Sequence, residues 1–183
     1  MSLPDDYREA LAKLGEAFSA YKNATGAQAV LVGGAAAAIL TDGAFMSADF
    51  DVLAANDIAF TEAMQGAGFK HDKLSGHGDG GWFLPAQPQY VVEQVSGRYF
   101  DGRGERGRCL QMRVRDGATV VLPAIEDIIA DRLGQHEVSQ GDMSMLEQAK
   151  ALYTIAQDLD VTYLVRRIEE ESGNPALLGL SKD

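Results

Sequence analysis

The stretch VLVGGAAAAILTDGAFMSADFDVL, which runs from Val30 to Leu53, decides the fold of this chain. It begins with a short apolar run that predicts a buried strand over Ala29–Val32, and Gly33-Gly34 then breaks that run. Residues Ala35–Leu40 are strong helix formers and predict a helix after the glycines. The first half of the stretch therefore predicts a strand, a tight glycine turn and a helix in direct succession.

The second half of the stretch predicts another strand, Asp49–Leu53, which carries two carboxylates. Asp49 and Asp51 are two residues apart, so both side chains point to one face of the strand while Phe50 and Val52 point to the core. Two carboxylates this close repel each other unless a cation lies between them or one is protonated. Mg²⁺ takes hard oxygen ligands and accepts a few protein carboxylates together with substrate phosphates. The pair therefore predicts a site for Mg²⁺ or Mn²⁺.

The order of these features resembles the nucleotidyltransferase superfamily, whose fold is shared with the catalytic domain of DNA polymerase beta. The family signature is a strand, Gly-Gly or Gly-Ser, a helix, and an Asp-x-Asp on the next strand, often preceded by Ser or Thr. The residues that match the signature here are Gly33, Gly34, Ser47, Asp49 and Asp51. The later segment Val121–Tyr153 is similar to small bacterial nucleotidyltransferase-like proteins, with Pro after a strand, Glu-Asp opening a helix and Gln-Ala on the next helix. The resemblance covers roughly Ala27–Arg167.

The resemblance implies an activity and a set of roles. A nucleoside monophosphate would pass from a nucleoside triphosphate to a hydroxyl acceptor, which is a protein, a tRNA end or a small molecule. Asp49 and Asp51 would bind Mg²⁺, and Arg132 would bind phosphate from a helix beside the cleft. The residues that would hold the triphosphate are Gly33, Gly34 and Ser47. Several small bacterial relatives act as, or with, toxin–antitoxin modules, so the resemblance implies that context as well.

A third carboxylate from a neighbouring strand completes the metal site in this family, and Glu93 is the candidate here. It is the one charged residue in the otherwise apolar run Tyr90–Val95, and it follows the Asp pair in chain order. As a catalytic residue it would share a Mg²⁺ ion and help to deprotonate the acceptor hydroxyl. The same pattern is also typical of a charged residue on the solvent face of a half-buried strand, and both interpretations stay open.

One departure from the family pattern favours a second hypothesis. Many members that use a nucleoside triphosphate carry a basic residue two positions before the Ser or Thr, and Phe45 occupies that position here. The alternative is a nucleotidyltransferase-like protein that has lost catalysis and binds a nucleotide, RNA or a partner protein in the same cleft. A third hypothesis is an oligomeric scaffold that uses C-terminal helices such as Met143–Gln157.

Charged side chains elsewhere carry two interpretations each. The segment Gly97–Arg108 is rich in glycine and predicts a mobile loop with little to bury. Its arginines form either a clamp over phosphate or nucleic acid, or ordinary solvated surface: Arg98, Arg103, Arg106 and Arg108. On the helix predicted over Ile125–His136, we expect Asp127, Asp131 and Arg132 to form surface charge pairs, although Arg132 would also reach the cleft.

Charge and composition exclude some partners. The chain has 183 residues with 16 basic and 27 acidic side chains, which give a formal net charge of −11. Because duplex affinity depends on Lys and Arg, this balance argues against a broad DNA surface. The single cysteine, Cys109, cannot form an internal disulfide and fits a reducing compartment. No apolar stretch reaches the ~18 residues that span a bilayer, and the acidic N-terminus is unlike a signal peptide. We therefore expect a cytoplasmic protein without a membrane partner.

The order of predicted elements gives the fold class. A helix over Pro4–Tyr21 is followed by mixed strands and helices, and then by helices alone. This order is typical of an α+β fold, here a nucleotidyltransferase-like mixed β-sheet flanked by helices with a C-terminal helical extension. We expect the α/β core with its N-terminal helix to occupy residues 1–123 and the helical region to occupy residues 124–183. The oligomeric state stays open, with a homo-oligomer among the alternatives.

The remaining elements follow from local signals. Asn56 is expected to cap a helix over Asp57–Gly66, and the polar, glycine-rich segment His71–Gly81 predicts a loop. The other predicted strands are Trp82–Leu84, Gln89–Val95, and a hairpin of Leu110–Val114 with Thr119–Leu122. The last helix is predicted over Thr162–Glu171.

Overall fold

A five-stranded sheet organises the computed structural model, which describes residues 3–72, 80–96, 98–115, 117–139 and 143–180. Its strands are β1 (Val30–Val32), β2 (Asp49–Leu53), β3 (Lys70–Asp72), β4 (Gly81–Leu84) and β5 (Gln87–Ser96). They lie in the order β1-β2-β5-β4-β3. The neighbours β2 and β5 run parallel, and the other neighbouring pairs of this sheet run antiparallel. The sheet is therefore mixed, as the sequence predicts.

Helices flank the sheet. Those of the described residues are α1 (Asp5–Thr25), α2 (Gly33–Leu40), α3 (Asp57–Gly66), α4 (Ile125–Val138), α5 (Ser144–Ile155) and α6 (Val161–Glu170). A hairpin of β6 (Leu110–Arg113) and β7 (Thr119–Leu122) forms a separate two-stranded sheet, and β7 packs against β1. Helix α1 packs against α3, β5 and β7, whereas α4 packs against α5, α6 and α2. The predicted α+β class is confirmed. None of the helices in the described part of the chain is long and apolar enough to cross a membrane.

Aromatic side chains fasten α1 to one face of the sheet. The Tyr7 ring lies edge-on to Phe50 and Tyr90, with centroids 5.0 and 5.1 Å away, and Phe50 stacks on Tyr90 at 5.8 Å. Phe50 is fully buried, and burying a side chain of this kind contributes about 1.5–3 kcal/mol. Because side chains alternate along a strand, Asp49 and Asp51 are directed to the opposite face of β2.

Both ends of the loop predicted over His71–Gly81 belong to strands in the structure. His71 and Asp72 belong to β3, and Gly81 begins β4. His71 packs its ring against Trp82 of the neighbouring strand, with centroids 4.7 Å apart. Pairing between strands depends on residues that are distant in the sequence, so the local composition of this segment does not predict it. The middle of the predicted loop, residues 73–79, lies outside the described residues.

The prediction that the arginine-rich segment has little to bury is wrong. Residues 98–108 contain two 3₁₀ turns, Tyr99–Gly102 and Arg106–Arg108. Tyr99 is 3% exposed and packs with Val30, Val32 and other buried side chains of a small second core. The glycines and arginines dominate the composition, but the buried Tyr99 ring packs the segment against this core.

Candidate active site

The glycine turn joins β1 directly to α2, and Asp51 lies beside it. Strands β1 and β2 pair antiparallel with Val32 opposite Asp51. Gly33 has a φ of +69°, in the left-handed region that glycine adopts most readily. A Cβ atom on Gly33 would lie 2.2 Å from Asp51 Oδ2, and one on Gly34 would lie 2.9 Å from Ser47 Oγ. Both positions are therefore filled by side chains of β2 and of the segment just before it, which explains why neither residue has a side chain.

The start of α2 offers backbone donors next to Asp51. Within the described first turn, the N-cap residue Val32 makes no side-chain hydrogen bond to the helix, and no acidic residue is present. The first N–H groups of a helix have no partner within the helix, and the helix dipole favours an anion at this end. The turn can therefore hold a phosphate group without any further side chain.

Asp49, Asp51 and Glu93 share one face of the sheet. The parallel register of β2 and β5 places Asp51 opposite Glu93 and Asp49 opposite Val91. The pKa of Asp51 is raised to about 6, first by burial and then by repulsion from Glu93 and Asp49. The Arg132 guanidinium acts in the opposite direction and lowers this pKa. Negative charge is therefore concentrated around Asp51.

The oxygen atoms of these three carboxylates are chemically suitable ligands for a magnesium ion. They are hard oxygen donors, and a cation would relieve the repulsion that raises the Asp51 pKa. Within the described residues, no group of three or more His, Cys, Asp or Glu side chains lies close enough together to hold a metal ion. Mg²⁺ usually completes its shell with water and substrate phosphates. An ion here would therefore be held by Asp49 and Asp51 together with ligand oxygens.

A cleft of about 660 Å³ opens over the Asp pair, which is large enough for a nucleotide-sized ligand. Its walls come from the glycine turn, residues 45–47, residues 98–103, α4 and α5. The charged side chains that line it are Arg98, Arg103, Arg132, Asp49, Asp51, Asp101, Asp131 and Glu171. Carboxylates outnumber arginines by two in this lining, so the cleft is negative. Glu93 does not belong to the described lining, although it neighbours Asp51.

One solved structure is similar to this chain over most of its length. It is the crystal structure of an antigenic nucleotidyltransferase-like protein from Paracoccidioides brasiliensis. The two are 14% identical, and the match has a TM-score of 0.59 over 88% of this chain and 86% of that chain. The chain has a nucleotidyltransferase-like fold. No protein-family model and no curated protein matches this sequence.

The family signature maps to one place in this nucleotidyltransferase-like fold. The glycine turn, Ser47 and the Asp pair all line the cleft. The Ser47 hydroxyl donates a hydrogen bond to the carbonyl of Asp49 at 3.2 Å, so in this state it serves the local backbone. Its role in holding a triphosphate stays a prediction.

Arg132 also reaches the cleft, but it is committed to protein partners. Its side chain is 3% exposed, and its Nη2 atom lies 2.5 Å from Asp131 Oδ2. Its Nη1 atom lies 3.3 Å from Met145 Sδ. The predicted pairing on α4 is therefore present between Asp131 and Arg132, in a buried rather than an exposed position. The phosphate-binding role of Arg132 stays a prediction.

The expectation that Asp127 forms surface charge pairs is wrong. Its carboxylate is fully buried and accepts hydrogen bonds from Tyr99 Oη at 2.8 Å, Tyr163 Oη at 2.9 Å and Arg167 Nε at 2.7 Å. Its donors lie on the 3₁₀ turn after β5 and on α6. Spacing along α4 shows only local neighbours, so sequence reasoning could not find them.

Gln148 on α5 was not predicted as a site residue. Its Oε1 atom is buried in the cleft wall and has no hydrogen-bond partner among the described residues. Buried acceptors in folded proteins are nearly always paired, so this oxygen is an exception in the wall of the cleft. The Gln-Ala pair in the family resemblance is the only signal that points to it. The other residues missed in this wall, including Gln135, Met145 and Glu171, gave no local signal.

Proposed function

We propose that this chain is a metal-dependent nucleotidyltransferase, which moves a nucleoside monophosphate from a nucleoside triphosphate to a hydroxyl acceptor. The observation that carries the proposal is the environment of Asp51. It lies beside the glycine turn, in register with Glu93, and its carboxyl pKa is raised to about 6. A carboxyl group in a cleft with a perturbed pKa is typical of a functional site.

The charge of the cleft supports metal dependence. A triphosphate would meet a lining in which carboxylates exceed arginines by two, and repulsion would oppose its binding. In this proposal Asp49 and Asp51 would hold Mg²⁺, and the ion would offset the negative charge that the triphosphate brings. The backbone at the start of α2 and the Ser47 hydroxyl then hold phosphate oxygens, with Arg132 at the edge of the same cleft.

The proposed reaction is an in-line displacement at the α-phosphorus. The acceptor oxygen forms a bond to that phosphorus as the bond to the bridging oxygen breaks, and pyrophosphate leaves with the electron pair. Glu93, in register with Asp51, accepts the proton of the acceptor hydroxyl. A bound Mg²⁺ supplies neutralisation of the phosphate charge. The chain itself contributes mainly position, because the turn and the strand fix where the reacting groups meet.

A catalytically inactive protein that binds a nucleotide, RNA or a partner in this cleft is the second candidate. Two observations favour it: no group of three metal-binding side chains is gathered among the described residues, and Glu93 is absent from the described lining of the cleft. Phe45, which stands where many family members that use a triphosphate have a basic residue, also lines the cleft and agrees with this second candidate.

Label transfer separates the two candidates. The protein is incubated with Mg²⁺ and each α-labelled nucleoside triphosphate, with the protein itself, tRNA and small hydroxyl compounds as acceptors. A tRNA or protein acceptor would agree with the toxin–antitoxin context that the resemblance implies. A nucleotidyltransferase should label one acceptor. A protein that binds a nucleotide in calorimetry but labels none of these acceptors would be the binder.

Substitution of Glu93 tests its role directly. Glu93→Gln should reduce transfer by about a hundredfold, within the ~10²–10⁴ attributed to a positioned acid or base. Glu62→Gln on the exposed face of α3 is the matched control and should keep full activity. Both variants should unfold at the wild-type temperature or above it. Full activity of Glu93→Gln would remove this residue from the mechanism.

A further inference from the structure

The four arginines after β5 divide into two pairs. Arg98 and Arg103 line the cleft over the Asp pair. Arg106 turns away, and its Nη1 atom donates to the carbonyl of Gln28 at 3.2 Å. Arg108 pairs with Glu105 and Asp160 outside the cleft, at 2.9 Å each. We call residues 98–103 the arm, because this segment carries the two arginines that line the cleft.

The backbone of the arm makes an unusual turn. Phe100 and Asp101 have φ values of +45° and +54°, so two successive non-glycine residues are left-handed. Such conformations cost on the order of 1–3 kcal/mol each and persist only where the surroundings impose them. The turn lies between Arg98 and Arg103, and both of these side chains reach the same cleft.

A buried network holds the arm from behind. Tyr99 donates to the Asp127 carboxylate at 2.8 Å, and Arg167 donates to the same carboxylate at 2.7 Å. The Arg167 guanidinium also lies 5.3 Å from the centre of the Phe100 ring. Asp127 lies on α4 and Arg167 on α6, so these two helices hold the arm in place.

The Arg103 side chain is partly exposed to the cleft and contacts neighbouring carboxylates and a backbone carbonyl. Its Nη2 atom lies 3.2 Å from both Asp101 Oδ2 and Glu171 Oε2, and its Nη1 atom bonds to the carbonyl of Glu170. The Arg103 side chain is 36% exposed and that of Asp101 is 76% exposed. Ion pairs in such surroundings contribute little, about 0–1 kcal/mol. A phosphate group can therefore replace the exposed Asp101 carboxylate, whereas the Glu171 side chain is 14% exposed and also pairs with Arg167.

We infer that Arg103, with Arg98 beside it, binds the polyphosphate of the nucleotide. This inference rests on the proposed function and assigns the substrate's charged end to the arm. A planar guanidinium can donate two parallel hydrogen bonds to phosphate. The arm thereby supplies the positive charge that Phe45 does not, and it supplies it from a segment fixed by α4 and α6.

Calorimetric titration with two probes tests the assignment. The probes are magnesium tripolyphosphate and the magnesium complexes of the four ribonucleoside triphosphates. Arg103→Gln should weaken both kinds of probe by about tenfold, the loss expected for one charge-assisted hydrogen bond. Arg106→Gln, three residues further along and turned away from the cleft, is the matched control and should bind like the wild type.

A second variant moves the affinity in the opposite direction. Asp101→Asn keeps the left-handed backbone, which Asn tolerates well, and removes a negative charge that competes for Arg103. It should bind both probes more tightly than the wild type. Wild-type affinities in both Arg103→Gln and Asp101→Asn would overturn the assignment while leaving the proposed function intact. A wild-type protein that binds neither probe would overturn both.

Discussion

The negative charge of Asp51 destabilises the folded protein, because burial and neighbouring carboxylates disfavour it. A single substitution removes this charge. An acid whose pKa is higher in the folded state binds its proton more tightly there, so its contribution to the free energy of unfolding falls as pH rises from about 4 to about 6. Asp51→Asn should therefore be more stable than the wild type at pH 8, by at most about 3 kcal/mol. At pH 4 the two should be nearly equal. Urea unfolding at both pH values measures the difference.

Asp158→Asn is the control for this experiment, because Asp158 is exposed and its left-handed backbone suits Asn. It should leave the pH dependence unchanged. A gain in Asp51→Asn that is as large at pH 4 as at pH 8 would show that the charge of Asp51 is not its cause.

Gly33 is predicted to tolerate no side chain. Its φ is +69°, and an added Cβ atom would lie 2.2 Å from the Asp51 carboxylate. Gly33→Ala should lower the free energy of unfolding by about 2 kcal/mol or more, since the left-handed backbone alone costs ~1–2 kcal/mol. Gly66→Ala at the end of α3 is the control, because nothing lies within 4 Å of its Cβ position. It should be neutral or slightly stabilising. Equal losses in both variants would refute the clash.

Between elements, the buried Asp127–Arg167 pair joins α4 to α6. Arg167→Gln would leave a buried carboxylate with two tyrosine hydroxyls as its remaining donors. Removing one partner of a buried pair costs about 3–5 kcal/mol, and urea unfolding should show a loss of this size. The neighbouring Arg166 is exposed and pairs with Glu105 and Glu170. Arg166→Gln should cost no more than about 1 kcal/mol. Similar losses in the two variants would mean that the buried pair does not join the helices.

Elements with strong local signals could be predicted to the residue. Strand β2 and helix α3 have the bounds that the sequence predicts, Asp49–Leu53 and Asp57–Gly66. The Asn56 side chain accepts a hydrogen bond from the Ala59 N–H at 3.0 Å, as expected of an N-cap. Alternation of side chains placed Phe50 and Asp51 correctly, because this period is a local property of any strand.

Features that depend on distant partners could not be predicted from local patterns. The family resemblance pointed to Glu93, but the local sequence could not show that it lies opposite Asp51, because that placement depends on the parallel pairing of β5 with β2. Asp127 receives its hydrogen bonds from residues 28, 36 and 40 positions away. The cleft wall likewise combines side chains from residues 45–47, 98–103, α4 and α5. The sequence therefore identifies the centre of the candidate site but not its walls.

At the scale of the whole molecule, negative charge shapes what the protein can bind. The chain carries a formal charge of −11, and its cleft has more carboxylates than arginines. A free polyphosphate is repelled by both. Divalent cations should therefore bind first or together with the nucleotide, and nucleotide affinity should fall sharply when a chelator removes them.

Divalent cations alone should stabilise the fold through the Asp pair. An ion that binds only the folded state adds RT ln(1 + L/Kd) to the free energy of unfolding, where L is its free concentration. Mg²⁺ or Mn²⁺ should thus raise the unfolding temperature progressively, because it relieves the repulsion around Asp51. The double variant Asp49→Asn, Asp51→Asn should lose this response. A charge-matched double variant at exposed positions, Glu62→Gln with Asp158→Asn, should keep it, since it lowers the net negative charge equally without touching the cleft. Retention of the full response in the Asp-pair variant would place the ion elsewhere on this acidic surface, and loss in both variants would reduce the effect to general screening of charge.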